Sequence, residues 1–256
     1  MAPLPPPVAA AARSFRARGY GLVPGLLDGE ELAKARRACR QVLDRAAEQA
    51  GQPPPEEHAG ETAWVVEGHG CVFEVAQSEG ERVAETMAAY TASAGGACPV
   101  SVLQAPAIRA LVVACLDADA SDVRLFNEQF IVKPPESRSA FAWHRDDDNC
   151  REASASAPYM SVWIALDDAD AKAGCLWVAS ITHGHARKRK RDCEGDDGTP
   201  LAVRPGDAVL LRNDVVHRSG PNTSRLWRRA WMPQFSRGTV TWPDGRWVSL
   251  GVRVWD

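Results

Sequence analysis

The stretch "DVRLFNEQFIVK", residues 122–133, marks where the texture of the chain changes. It is rich in β-branched and aromatic residues and ends at Pro134-Pro135, so it reads as a strand. Side chains alternate along a strand, which puts Gln129, Ile131 and Lys133 on one face. Further strand candidates follow at 158–166, 174–179, 201–204, 207–212 and 228–236, most of them separated by Gly, Asp or Pro. Upstream, the chain reads as helical. Residues 28–50 carry an apolar face through Leu32, Ala35, Cys39, Val42, Leu43 and Ala46. Asp28 and Glu31 have capping-box spacing at its start. Residues 81–94 and 105–118 also read as helices, the second through "APAIRALVVACLDA". Helices first and many short strands later predict a mainly β protein with flanking helices, a sandwich or barrel.

Bulk composition narrows the class. The chain has 256 residues, 45% of them apolar, with a net charge of -3. That length suits one large β-sandwich or barrel with a sizeable core. The charge argues against a nucleic-acid partner, and no apolar run reaches the roughly 18 residues of a membrane span. Seven dispersed cysteines without a CxxC pair predict reduced thiols and an intracellular, cytoplasmic location. Organellar targeting is the alternative, because arginines and no acid precede Asp28. The prolines at 3 and 5–7 predict a disordered lead over 1–12. The run "HARKRKRDCEGDDG", residues 185–198, reads as a solvated loop, with nuclear targeting as its rival.

The candidate chemistry lies in "AFAWHRDDDNC", residues 140–150. His144 and Asp146 form an H-x-D pair, and in extended chain residues two apart point the same way. A third ligand is expected from another strand. His217 fits, because "GDAVLLRNDVVHRSGPN" (206–222) runs from a turn through a strand to the histidine. Two histidines and a carboxylate are the facial set that holds non-heme Fe(II) with open positions. Arg228, eleven residues after His217, would reach the same cavity from the next strand and grip a carboxylate such as that of 2-oxoglutarate. A surface ion pair is the competing reading for Arg228, since alternation admits only one of Arg228 and Arg229 to the interior.

Three blocks carry a resemblance: "NEQFIVKPP…AFAWHRD", "VWIALDDADAKAGCLWVASITH" and "GDAVLLRNDVVHRSGPNTSRLWRRA". With the opening from Phe15 to Leu27, they resemble the phytanoyl-CoA dioxygenase family of Fe(II)/2-oxoglutarate-dependent oxygenases. The resemblance implies a double-stranded β-helix, a cupin-like jelly roll, as a single dioxygenase domain over 13–256. Its helical part would span about 13–120 and its β core about 121–240. It implies Fe(II) on His144, Asp146 and His217, with Arg228 and Ser219 on 2-oxoglutarate and Gln129 and Trp163 lining that pocket. The implied activity is hydroxylation of a small molecule (an acyl-CoA, organic acid or secondary metabolite) using O2, supported by ascorbate, with release of succinate and CO2. A non-catalytic metal and 2-oxoglutarate sensor on the same fold is the alternative, and a cupin-like enzyme without cosubstrate is a third reading. Two departures stand out. "SITH" (180–183) replaces the usual P-G-S-H, and Arg145 occupies a position where glutamine is frequent. Alternation predicts that Arg145 and Asp147 point away from the metal, and Asp148 lies further along the loop, so neither Asp147 nor Asp148 is expected to be a ligand. Residues 51–80, with Trp64, His69 and Phe73, read as part of a lid over the substrate.

Overall fold

The computed structural model describes residues 4–49, 71–72, 100–137, 140–154, 157–180, 197–246, 248 and 251–255. The expected helix at 81–94, the lid residues Trp64, His69 and Phe73, His183, and nearly all of the 185–198 run lie outside the described residues.

Contrary to the expectation of a disordered lead, Pro6–Arg18 form helix α1. The prolines do not prevent it, because they occupy its cap and first turn, where a missing N–H costs nothing. Val8, Ala11, Ala12 and Phe15 are buried along one face, and burying Phe15 contributes about 2–3 kcal/mol. Gly19 caps this helix at φ 83°, and a Cβ there would lie 2.5 Å from Val215 Cγ2, so glycine is required twice over. Strand β1 (Tyr20–Val23) follows, and then helix α2 (Gly29–Gln49). The predicted capping box is present: Glu31 N–H donates to Asp28 Oδ1 (2.8 Å), and Asp28 N–H to Glu31 Oε2 (3.1 Å). After β2 (Cys71–Val72) come the short α3 (Val100–Leu103) and then α4 (Pro106–Leu116).

The remaining strands are β3 (Val123–Lys133), β4 (Phe141–His144), β5 (Tyr159–Ala165), β6 (Leu176–Val178), β7 (Thr199–Leu201), β8 (Ala208–Arg212), β9 (His217–Ser219), β10 (Arg228–Arg237) and β11 (Val252–Arg253). They make two antiparallel sheets, the seven-stranded β1-β8-β5-β10-β3-β11, with β2 also on β3, and the four-stranded β4-β9-β6-β7. Helices flank the larger sheet, and this is the double-stranded β-helix. The sheets extend beyond 121–240 at both ends, through β1 and β11. The predicted strand at 201–204 starts earlier, at Thr199; Pro200 is tolerated because β7 is an edge strand. Cys39, Cys115, Cys150 and Cys175 are buried. No described helix is long and apolar enough to cross a membrane.

Alternation gives the large sheet two different faces. Met160, Val162, Ile164, Ala208, Leu210, Trp231 and Phe235 pack with residues of α1, α2 and α4 in one core. Trp163, Ala165, Val209, Leu211, Ala230 and Met232 pack instead with Cys175, Leu176, Val178 and Leu201, in the space between the sheets. Arg228 and Gln234 share the parity of this inner row on β10. A bulge interrupts β3: Gln234 faces Asn127 while Phe235 faces Leu125, so Phe126 is the extra residue. The bulge switches the parity, leaving Leu125 and Phe130 in the helix-side core and Gln129 and Ile131 on the inner face.

Glu128 is an exception on the helix side. It is 0% exposed, accepts a hydrogen bond from Trp231 Nε1 through Oε1, and its Oε2 has no partner among the described residues. Burial pushes its carboxyl up to about 8, against a smaller opposing pull from the Trp231 bond. The folded value exceeds the unfolded one. Stability from this group is therefore fully present below about 4.5 and falls as pH rises toward about 8. Glu128→Gln, which stays neutral, is expected to lose less stability than wild type between pH 5 and 8.5. The difference should be on the order of a few kcal/mol in urea unfolding. Parallel pH profiles for the two proteins would show that Glu128 is not the source.

Candidate metal and cosubstrate site

His144 ends β4 and His217 begins β9, and the two are directly opposed in register. This cross-strand pairing brings their ring centroids to 4.2 Å. Each imidazole is fixed by the carbonyl two residues before it: His144 Nδ1 donates to Ala142 O (2.8 Å) and His217 Nδ1 to Val215 O (3.0 Å). A carbonyl only accepts, so the proton sits on Nδ1 and the Nε2 lone pair is left for a ligand, the arrangement typical of metal-binding histidines. Burial, and then the neighbouring His217, pushes His144 below its usual value and keeps it neutral.

Asp146 opens a 3₁₀ turn (Asp146–Asn149) just past β4. Its Oδ1 lies 3.4 Å from His217 Nε2, and one ligand atom from each of His144, Asp146 and His217 falls within 4.8 Å of the others. That donor set, two imidazoles and one carboxylate, fits Fe(II). The neighbouring acids do other work. Asp147 is buried and accepts hydrogen bonds from Asn213 Nδ2 (3.2 Å) and Ser154 Oγ (3.4 Å), tying the turn to the β8–β9 connection. It is therefore a structural group and not a solvated one. Asp148 caps the turn, accepting from Arg145 N–H at 3.1 Å and from Arg151 at 2.8 Å.

One cavity of about 450 Å³ is lined by all three of these residues and by Gln129, Trp163, Ser219 and Arg228. Ile131, Leu176, Leu211 and Met232 contribute apolar wall, as does Phe141. Phe126 and Tyr159, stacked at 3.8 Å, line it as well. Arg145 also lines the cavity; its backbone is still extended (φ -117°, ψ 148°), and the 3₁₀ turn begins at the next residue.

Arg228 is 1% exposed. Its Nη1 donates to Ile131 O (3.3 Å), its guanidinium lies 5.5 Å from the Trp163 ring centre, and its Nε has no acceptor among the described residues. Burial pulls it down to about 10, which leaves it cationic at neutral pH. Arg229 turns outward, as alternation requires, and forms a two-pronged pair with Asp167 at 2.7 and 2.9 Å. Lys133, opposite Arg228 in register, donates to the carbonyls of Ser219 and Gly220 and so braces the strand that carries His217.

Sequence reasoning missed two polar residues at this site, Ser161 and Gln234. Both contact Asp146 (Ser161 Oγ at 2.5 Å, Gln234 Nε2 at 3.2 Å). Their signal was a polar residue at an inward position of an otherwise apolar strand.

Residues 15–230 match the family profile described as phytanoyl-CoA dioxygenase (PhyH). Phytanoyl-CoA dioxygenase domain-containing protein 1 of Danio rerio is 33% identical over 109 residues, which are 35% of this chain and 37% of that protein. The match thus spans little more than a third of that relative's length. Among solved structures, AviO1 from Streptomyces viridochromogenes Tue57 has a TM-score of 0.61 at 20% identity, covering 94% of this chain and 99% of that one. EvdO2 from Micromonospora carbonacea var. aurantiaca, complexed with 2-oxoglutarate, has a TM-score of 0.60 at 21% identity, covering 89% and 90%. These likenesses agree with the fold built above, and the family match extends through both candidate ligand strands to Ala230, so the chain belongs to the phytanoyl-CoA dioxygenase family.

Proposed function

We propose that this protein is an Fe(II)- and 2-oxoglutarate-dependent hydroxylase acting on a small organic molecule. The observation that carries the reading is Arg228. A buried guanidinium with an unpartnered Nε is costly unless an anion meets it, and it lines the same cavity as the His144, Asp146 and His217 cluster. A dicarboxylate with a keto acid at one end answers both needs. Family membership supports the same cofactor pair.

In this reading His144 Nε2, His217 Nε2 and Asp146 Oδ1 hold Fe(II), and Arg228 grips the distal carboxylate of 2-oxoglutarate with help from the Ser219 hydroxyl. When bound, Fe(II) with 2-oxoglutarate and O2 supplies an oxidant that puts one oxygen atom into a substrate C–H bond and the other into succinate, with loss of CO2. Trp163 packs against the guanidinium and limits its swing. Gln129 offers its amide to the cosubstrate. Ile131, Leu176, Leu211 and Met232 keep water from the charged groups, which strengthens each electrostatic contact. Phe126 and Tyr159 supply aromatic wall for the substrate.

The test is direct. Anaerobic protein given Fe(II) and 2-oxoglutarate is expected to develop a weak visible absorption band. In air, with a panel of small metabolites, it is expected to release succinate in step with a hydroxylated product. Folded protein that shows neither would overturn the proposal. A band without turnover on any substrate would favour a sensor on the same fold.

A further inference from the structure

We infer that Ser161 and Gln234 are positioning residues that hold Asp146 as a one-oxygen ligand. The two face each other in register on β5 and β10, on the inner face of the large sheet. They are 0% and 3% exposed. Ser161 Oγ donates to Asp146 Oδ2 (2.5 Å). Gln234 Nε2 donates to the same Oδ2 (3.2 Å) and to Ser161 Oγ (2.8 Å). The three side chains thus close a small ring. The serine proton is committed to Asp146 because the serine oxygen accepts from the glutamine amide, and each bond polarises the next.

Two consequences follow from the geometry. Oδ2 receives two donors, whereas Oδ1 faces His217 Nε2 at 3.4 Å. The carboxylate therefore offers one oxygen to an ion, and a metal held this way would keep room for a chelating cosubstrate that a two-oxygen carboxylate would take up. The second consequence concerns the two sheets. His144 and His217 belong to the small sheet, and Asp146 lies on the turn beyond it. Ser161 and Gln234 belong to the large sheet, so the ring ties the turn-borne ligand of the cluster to the opposite wall of the cavity.

This inference rests on the metal-binding reading above, and the experiment separates the two. Co(II) is titrated into metal-free protein by calorimetry, without 2-oxoglutarate, for wild type, Ser161→Ala and Gln234→Met. Apo melting temperatures are recorded alongside. Ser161→Ala and Gln234→Met are expected to weaken Co(II) binding by roughly 10–100-fold, the usual effect of losing a partner behind a metal ligand. A packing role alone would lower the apo melting temperature and leave Co(II) affinity unchanged, so a fall in affinity is the sign of a positioning role. Wild-type protein that bound no metal would remove both readings together. Wild type that bound Co(II), with both variants matching it, would remove this one alone.

Discussion

Asp146→Ala is expected to lose metal binding and, with it, succinate release, while the protein still folds. Among the described residues, Asp146 is the one carboxylate in the cluster of His144, Asp146 and His217. Without it, two imidazoles face a dication with no compensating charge. The substitution also strips the acceptor from Ser161 and Gln234, leaving two buried donors orphaned. The loss should exceed the roughly 100-fold upper range seen when only an outer partner is removed. Metal content after dialysis and the Co(II) dissociation constant both read it. The neighbouring acids give the contrast. Asp148→Ala, at an exposed turn cap, should bind metal like wild type. Asp147→Ala should lower the melting temperature, because it cuts the buried bonds to Asn213 and Ser154, yet retain the metal. If Asp146→Ala kept full activity, or if Asp147→Ala lost the metal instead, the ligand assignment would be wrong.

Much of this site was legible because its parts follow local rules. The strand that begins after Ser121 shows in its β-branched and aromatic residues, the H-x-D pair follows from two-residue alternation, and alternation admits one of Arg228 and Arg229 to the interior without saying which. Alternation failed where the backbone leaves the strand. It could not show that Asp147, inside the 3₁₀ turn, is buried. The bulge at Phe126 is likewise invisible in sequence, since it depends on which residue of β10 lies opposite. The N-terminal helix was hidden for another reason. Its prolines are breakers in mid-helix and neutral in a first turn, and the sequence alone does not say where the turn begins. Ser161 and Gln234 are 73 residues apart in the chain and meet only through strand pairing. No local pattern joins them, although each is a polar residue on a buried strand, which is the kind of position that calls for a partner.

Arg228→Ala is expected to raise the 2-oxoglutarate concentration needed for half-maximal succinate release by roughly 100-fold or more. A charge-assisted hydrogen bond contributes about 1.5–3 kcal/mol, a guanidinium can make two to one carboxylate, and every 1.4 kcal/mol is about tenfold. Arg228→Lys should fall between, since an ammonium keeps the charge but not the fork. A second readout separates binding from folding. In the free protein Arg228 is a buried cation with an unsatisfied Nε, so a neutral replacement of similar length, Arg228→Met, removes a desolvation cost along with a bond to Ile131 O. The apo melting temperature of Arg228→Met should hold or rise. Wild type with Co(II) should gain further stability on adding 2-oxoglutarate, because a ligand that binds the native state raises its unfolding free energy. That gain should be missing in Arg228→Met. Opposite signs, apo stability held and cosubstrate stabilisation lost, would mark a residue kept for binding at some cost to the fold. If Arg228→Ala left the 2-oxoglutarate requirement unchanged, the anion at this end of the cavity would be something else, and the cosubstrate reading would fail with the metal cluster left intact.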